Sequence, residues 1–151
     1  MKGSIKTLLA TLVVSLSLAT PVLAEPIEPA SVRVIDGDTI AVDGHKSNIR
    51  LVGFNAPETF VFHCEAGRLL GVQATARLKA LISLGDLDLE LVPCACRPGT
   101  EGTMFCNYGR SCGVLKSSGV DVGETLIAEG LAAPFVCSKT RCPKTPRPWC
   151  E

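Results

Sequence analysis

Residues 32–59 of the chain read VRVIDGDTIAVDGHKSNIRLVGFNAPET, and this stretch decides the expected fold. Apolar residues recur at alternate positions on both sides of Asp36-Gly37-Asp38, which predicts two strand segments joined by a tight bend or a bulge. Gly37 is expected to let the backbone turn sharply at that point. Asp43-Gly44 is a hairpin turn signal. The apolar run Ile49–Phe54 predicts a further strand, which ends at Asn55-Ala56-Pro57.

The rest of the chain predicts two helices and more strands. Helical spacing of apolar residues covers positions 65–84, and strand alternation covers 87–91 and 111–115. Asp121 can cap a short helix that runs to about Glu129. From Pro134 onward, prolines and cysteines make regular structure improbable. This order suits a β-rich α+β fold: a small five-stranded barrel of the OB type with two helices and a disulfide-stapled C-terminal tail.

The first 24 residues have the layout of a secretory signal peptide. Lys2 and Lys6 precede an apolar stretch over 8–18, and Val22-Leu23-Ala24 resembles a cleavage site. A retained membrane anchor is the alternative, but the apolar stretch is short for crossing a bilayer. The sequence therefore predicts an exported protein, periplasmic or secreted, with one domain over 25–151 that consists of a core (31–134) and a tail (135–151). After removal of the leader we expect a monomer without membrane association.

Charge gives little support for tight polyanion binding. The chain has 15 basic and 15 acidic residues, and removal of Lys2 and Lys6 with the leader leaves a net charge of −2. Strong non-specific binders of nucleic acid usually have a basic balance. Any nucleic-acid site must therefore depend on local charge.

All eight cysteines follow the leader, as expected for a disulfide framework in an exported small domain. Eight cysteines allow roughly a hundred full pairings, so the sequence leaves the connectivity open. Zinc binding is the alternative, but the spacing lacks paired C-x-x-C knuckles, and Cys94-Ala95-Cys96 is too tight for the usual loop. The candidates are Cys64, Cys94, Cys96, Cys106, Cys112, Cys137, Cys142 and Cys150.

Several polar residues in this apolar frame suggest chemistry. Asp36 and Asp38 place two hard-oxygen ligands on one bend, as a calcium site requires, although D-G-D is also a common turn. Arg50 lies in an apolar strand, where a charged side chain needs a partner or a ligand. An ion pair between Arg50 and Glu58 that merely closes the barrel is the alternative to a functional role.

Together these segments resemble the thermonuclease family of staphylococcal-nuclease-like domains. The resemblance extends over roughly Val32 to Pro134 and includes the spacing between Arg50 and Glu58. The matching segments are V-I-D-G-D-T-I (34–40), I-R-L-V-G-F-N-A-P-E-T (49–59), Gly71 with Ala74, Y-G-R (108–110) and D-V-G-E-T-L-I-A-E-G-L-A (121–132).

The resemblance implies calcium-dependent hydrolysis of DNA or RNA phosphodiesters through in-line attack by water. It implies that Glu58 orients or deprotonates the water, while Arg50 and Arg110 grip the phosphate. The implied metal ligands are Asp38 and the carbonyl of Ala56, with Asn55 in place of a second carboxylate and Asp36 as a supporting acid. Tyr108 would hydrogen-bond a terminal phosphate.

The chain departs from the family pattern in ways that bear on function. Asn55 stands where the family usually places an aspartate, which predicts weaker calcium binding because affinity follows ligand charge. Val136, beside Phe135, replaces the aromatic that packs under a nucleotide base, and Asn107 replaces a basic residue. The Pro- and Cys-rich tail replaces a long final helix. It and the region 94–112 flank Arg110, so they are expected to set its position or restrict substrate access.

Three readings therefore remain open at the level of sequence. The first is an active exported nuclease, and the second is a catalytically weak or inactive domain of the same fold that binds nucleic acid or another ligand. The third is a disulfide-rich structural or inhibitor module, which has no need for Arg50, Glu58 and Arg110 together.

Overall fold

The structure is a computed structural model that describes residues 24–150. The predicted leader, apart from Ala24, lies outside the described residues. Within this range no helix combines the length and the apolar composition that a membrane crossing requires.

A curled, half-barrel sheet of seven strands forms the centre of the fold. Its strand order is β1-β6-β7-β4-β3-β2, with β8 paired to β7, and a separate ladder joins β5 to β9. Only the β4–β7 pair among these ladders is parallel. The strands are β1 (Glu25–Ile27), β2 (Val32–Asp36), β3 (Thr39–Val42), β4 (Ile49–Leu51), β5 (Gly53–Asn55), β6 (Leu87–Val92), β7 (Ser111–Ser117), β8 (Val120–Asp121) and β9 (Ala133–Phe135).

The architecture is consistent with the expected OB-type fold, but the predicted count of five strands is wrong. The expected strand 49–54 is broken into β4 and β5 because Gly53 adopts a positive φ of 93° that turns the chain out of the main sheet. β5 then pairs with β9, which lies where little regular structure was expected. At the other end of the sheet, β1 adds an edge strand against β6.

The bend at Asp36-Gly37-Asp38 connects β2 to β3 with the predicted bulge, a register shift between Val34 and Asp36. The reason for glycine differs from the expected one. A methyl group on Gly37 would lie 2.6 Å from Cβ of Ala56 and 2.9 Å from Cβ of Ala74. Gly37 is therefore required for the close approach that presses the bend against the site loop and the long helix.

Helix α1 (Glu65–Ser83) confirms the helical spacing and packs one apolar face on the sheet. Gly71 on this helix lies under the loop that leaves β5, since an added methyl group would come within 2.6 Å of the Pro57 carbonyl oxygen. The predicted cap of the second helix, α2 (Val122–Ala128), is also confirmed, because Asp121 accepts hydrogen bonds from the backbone of Gly123 and Glu124.

The apolar core lies between the sheet and these helices, and it excludes water from one side of the candidate site described below. Its buried members include Ile40, Val42, Ile49, Leu51, Phe54, Ala56, Ala74, Leu78, Leu81, Ile82, Leu87, Leu89, Leu115, Val122 and Leu126.

All eight candidate cysteines form disulfides, so the alternative of zinc binding is wrong for the described residues. Three bridges are local in sequence, and one joins the chain end to the start of α1. The pairs are Cys64–Cys150, Cys94–Cys112, Cys96–Cys106 and Cys137–Cys142.

Candidate active site

Arg50 lies at the centre of the candidate site because of strand register. On β4 it faces Thr39 of β3 and Cys112 of β7, while Ile49 and Leu51 on either side of it are buried in the core. Alternation of side chains along a strand therefore directs Arg50 to the opposite face of the sheet. Its side chain is only 13% exposed.

The Arg50 guanidinium is surrounded by five oxygen atoms of the protein. It forms an ion pair with the carboxylate of Asp38 and donates to the carbonyls of Asp38, Leu51 and Phe54 at 3.3 Å. It also donates to Oδ1 of Asn55 at 3.2 Å. The buried cation thus has the partner that its position required, but the partner is Asp38 rather than Glu58.

Asp38 is 4% exposed and is held by three groups besides Arg50. Its Oδ2 accepts from the backbone N–H of Ala56 at 2.8 Å, and its Oδ1 accepts from the hydroxyl of Thr39 at 3.2 Å. Asp36, in turn, accepts at Oδ1 from the backbone N–H of Asp38 at 3.1 Å. Burial raises the pKa of Asp38 to about 7, and the nearby Asp36 carboxylate adds to the rise while Arg50 opposes it.

Asn55 connects the cluster around Arg50 and Asp38, here called the site corner, to the C-terminal tail. Its Oδ1 faces Arg50, and its Nδ2 donates to the carbonyl oxygen of Pro146 at 3.1 Å. The two ends of the amide therefore have different tasks, one toward the site and one toward the tail. A carboxylate could not perform both, because it has no hydrogen to donate.

Glu58 is exposed at the rim of the same corner. It shares a narrow cleft with Asn55 and Ala56, and residues of the tail also line that cleft. The loop that carries Glu58 is supported from below by α1, where Gly71 approaches the carbonyls of Pro57 and Glu58. Within residues 24–150, no hydrogen bond or ion pair joins Glu58 to Arg50 or Arg110.

Arg110 reaches the corner from the residue before β7. Its Nη1 donates to the hydroxyl of Thr39 at 3.3 Å, and Thr39 donates onward to Asp38. Its Nε and Nη2 are held by the carbonyl and the side-chain oxygen of Asn107 at 3.1 and 2.8 Å. A continuous chain of polar contacts therefore links the two arginines through Thr39 and Asp38.

The Cys94–Cys112 disulfide supports this arrangement. Nδ2 of Asn107 lies 3.4 Å from the sulfur of Cys112, so its amide is directed with the oxygen toward Arg110. The expectation that the region 94–112 sets the position of Arg110 is thereby given a structural basis. Asn107, which stands where the resemblance implies a basic residue, thus supports a neighbouring cation.

Tyr108 stands on the solvent side of Arg110, with its ring 5.6 Å from the guanidinium carbon and the residue 75% exposed. Asn107, Tyr108 and Gly109 have φ values of 51°, 58° and 77°. Two successive non-glycine residues with positive φ store backbone strain, and such strain is common at functional sites. The strain here presents an aromatic face to solvent beside a cation.

A larger, mostly apolar cleft of about 440 Å³ adjoins Arg50 and Asn107. Phe135, Val136 and Lys139 also line it. An apolar cleft of this size beside Arg50, and beside the Asn107 that holds Arg110, has room for a planar organic group attached to a phosphate.

The structure thus brings Arg50, Asp38, Asn55 and the backbone of Ala56 into one cluster, with Asp36 adjacent. Arg110 joins through Thr39, Tyr108 lies on Arg110, and Glu58 shares the neighbouring cleft. The sequence did not indicate Thr39 or Pro146 as parts of the site, and it marked Asn107 only as the replacement of a basic residue. Thr39 could have been found from its place after Asp38, but nothing in the sequence indicates that Pro146 returns to Asn55.

The ligand chemistry of this corner suits a hard cation. No group of three or more His, Cys, Asp or Glu residues arranged for a metal occurs within residues 24–150. The oxygens come instead from Asp36 and Asp38, from the amide of Asn55 and from backbone carbonyls, all of which are ligands that calcium accepts.

Comparison with known proteins shows that the chain is similar to endonucleases. No protein-family model matches it. It is 35% identical over 102 residues to endonuclease YncB of Bacillus subtilis, covering 66% of this chain and 44% of the relative. It is 33% identical over 102 residues to the SPbeta prophage-derived endonuclease YokF of the same organism, covering 66% of this chain and 31% of the relative. The chain spans less than half the length of these relatives, both of which are named endonucleases.

Proposed function

We propose that this chain is an exported, calcium-dependent nuclease of the thermonuclease type that hydrolyses phosphodiester bonds of DNA, RNA or both. The observation that carries the proposal is the continuous polar chain from Arg110 through Thr39 and Asp38 to Arg50. It fixes two cations at one corner, next to the rim that carries Glu58. The names of the two relatives support the same class of reaction.

The arginines would serve as the phosphate grip. Arg110 has its Nε and Nη2 committed to Asn107, so Nη1 is the nitrogen left to turn from Thr39 toward an anion. Arg50 donates to neutral carbonyl and amide oxygens with long contacts of 3.2 to 3.3 Å. Charged phosphate oxygens are stronger acceptors, so binding of substrate would exchange some of these contacts. Charge that develops on the phosphate would then be stabilised by preorganised donors.

Glu58 would orient the attacking water and accept its proton. Its exposed carboxylate lies at the edge of a cleft lined by Asn55 and Ala56, so a water held there lies beside the cluster. General base catalysis requires the carboxylate to be within hydrogen-bond reach of that water. Gly71 contributes indirectly, because its close approach holds the Glu58 loop in place.

Asp38 and Asn55 would hold calcium, with Asp36 and the carbonyl of Ala56 as further ligands. A bound calcium ion would neutralise charge on the phosphate oxygens during the reaction. Asp38 must be ionised to act as a ligand, and Arg50 must yield part of its hold on the same carboxylate. Both requirements, and the neutral amide at Asn55, predict modest affinity.

A nucleotide base would lie in the apolar cleft between Asn107 and Phe135, with Tyr108 beside the phosphate. The cleft has apolar walls and a cation at its edge, as expected for a site that stacks a base. Cleavage of nucleic acid with little sequence preference is the consequence, because stacking does not distinguish bases strongly.

Export is supported by the four disulfides, since such bridges persist in oxidising compartments. The leader pattern of residues 1–24 points the same way. The protein would act as a monomer in the periplasm or outside the cell.

A binding domain without catalysis is the second candidate. It is favoured by the neutral Asn55 and by the full set of protein oxygens around Arg50, which make the cluster stable without substrate. Such a domain would bind nucleic acid through the same arginines and cleft but would leave it intact.

The two candidates are separated by an assay of the mature, oxidised protein. Single-stranded DNA, duplex DNA and RNA are incubated with calcium, then with excess chelator, and then with a competing nucleoside 3′,5′-bisphosphate. A nuclease should cleave with calcium, lose activity with chelator and be inhibited by the competitor. Oligonucleotide binding without cleavage would instead identify the binding domain, and neither cleavage nor binding would reject both.

A further inference from the structure

Residues 143–150, here called the C-terminal strap, are fastened across one side of the candidate site. The Pro146 carbonyl accepts from Asn55 at 3.1 Å. The Trp149 ring packs on the first turn of α1, where a methyl group on Gly67 would come within 2.7 Å of Cδ1 of the indole. The Cys64–Cys150 disulfide closes the strap at its end.

Arg147 lies between these fastening points. Pro146 precedes it and Trp149 follows it, and the backbone N–H of Cys150 donates to the Arg147 carbonyl at 3.1 Å. Its side chain is exposed and lines the same cleft as Glu58. The exposed guanidinium is thus attached to a backbone that is fixed on both sides, next to the carboxylate proposed to direct water.

The low net charge of the protein makes the position of each exposed cation important for binding a polyanion. The mature chain has a net charge of −2, so cations that can contact a polyanion must act through position. Arg147 lines the Glu58 cleft together with Asn55, and Oδ1 of the same Asn55 accepts a hydrogen bond from Arg50. A strand whose phosphate is held by Arg50 and Arg110 and that continues into this cleft would therefore pass an exposed cation.

We propose that Arg147 forms a second phosphate site, which binds the phosphate adjoining the scissile one on the Glu58 side of a nucleic-acid strand. The inference rests on the proposed nuclease function and adds a contribution from the tail to it. Asn55 has a second task in this arrangement, because its amide holds the strap while its oxygen faces Arg50. Longer strands should therefore bind better than ligands with a single nucleotide.

The test compares Arg147→Gln with Lys144→Gln in the full mature protein. Both changes remove one positive charge from the strap, but Lys144 is absent from the walls of the site clefts. Steady-state cleavage of a single-stranded oligonucleotide gives kcat and KM at several salt concentrations, and fluorescence anisotropy gives its dissociation constant. Inhibition by a nucleoside 3′,5′-bisphosphate reports on the inner arginines alone.

Arg147→Gln should raise KM and the dissociation constant about fivefold to tenfold with kcat within about twofold, and reduce the slope of log K against log salt by about 0.7. Inhibition by the bisphosphate should be unchanged, and Lys144→Gln should behave as the wild type. Cys150→Ser, which unfastens the strap, should raise KM similarly, and Arg147→Gln should add little in that background.

Three results would overturn the inference while leaving the nuclease intact. They are an unchanged KM in Arg147→Gln, an equal rise in Lys144→Gln, or an equal loss of bisphosphate inhibition. If the wild type cleaves nothing, the anisotropy measurement still tests the phosphate site, and only the proposed function fails. A wild type that neither cleaves nor binds would overturn both.

Discussion

Replacement of Asn55 by aspartate has opposite effects on the two halves of the site. The new carboxylate adds a charged ligand next to Asp38, but it loses the hydrogen bond that the Asn55 amide donates to Pro146 at 3.1 Å. A typical hydrogen bond contributes about 0.5–1.5 kcal/mol, and burial of an added charge at a position that is 6% exposed adds to the cost. Arg50 already pairs with Asp38 and offsets only part of it.

Without calcium, Asn55→Asp should therefore lose about 1–3 kcal/mol of stability, which lowers the melting temperature by roughly 3–10 °C for a domain of this size. With calcium the order should reverse. One more ligand charge should tighten calcium binding about tenfold, and a ligand at about a hundred times its dissociation constant stabilises by about 2.7 kcal/mol.

Thermal unfolding with chelator and across a calcium titration measures both effects, and calorimetric titration gives the affinity directly. Asn48→Asp is the matched control, because it makes the same change of charge outside the cluster. Unchanged calcium affinity would mean that position 55 does not face the metal. Unchanged stability in chelator would mean that the amide does not hold the strap.

Three further changes test other parts of the site. Gly71→Ala should destabilise the protein by about 1–3 kcal/mol and lower kcat, because the added methyl group would press on the Pro57 carbonyl. Denaturant unfolding and cleavage rates measure the two effects, and a stabilised variant would contradict the prediction. Asn107→Gly keeps the positive φ but removes an acceptor from Arg110, so KM for an oligonucleotide should rise about fivefold to tenfold; an unchanged KM would exclude that support. Because the pKa of Asp38 is raised, its favourable contribution to stability is full below about pH 4 and is lost as pH rises to about 7. The free energy of unfolding of the wild type relative to Asp38→Asn, measured with urea in chelator, should therefore fall by up to about 1.4 kcal/mol per pH unit over this range. A difference that is constant with pH would contradict the raised pKa.

Local patterns in the sequence predict much of the frame that carries the site. The periodicity of α1, the alternation in β6 and the cap at Asp121 each act within a few residues, so they can be recognised without knowledge of the fold. The bend at Gly37 was also predicted, although its cause is the approach of Ala56 and Ala74 from distant parts of the chain.

Features that depend on distant pairing could not be predicted. β9 is three residues long and exists because it pairs with β5, and periodicity is uninformative at that length. The sequence offered only Glu58 as an ion-pair partner of Arg50, and the partner is Asp38 because the strand register sets Thr39, the residue after Asp38, opposite Arg50. The tail was recognised as stapled, but the bridge that fastens it over Asn55 is one of many possible pairings.

Hydrolysis of a phosphodiester by Glu58 and the arginines near it is the activity proposed for this protein. The most direct test measures cleavage of single-stranded DNA in saturating calcium by wild type, Glu58→Gln and the control Glu124→Gln, an exposed residue of α2. Thermal unfolding confirms that all three are folded. Glu58→Gln alone should lose about a hundredfold or more of the cleavage rate, which is the scale of general base catalysis. Equal cleavage by Glu58→Gln and wild type would contradict it.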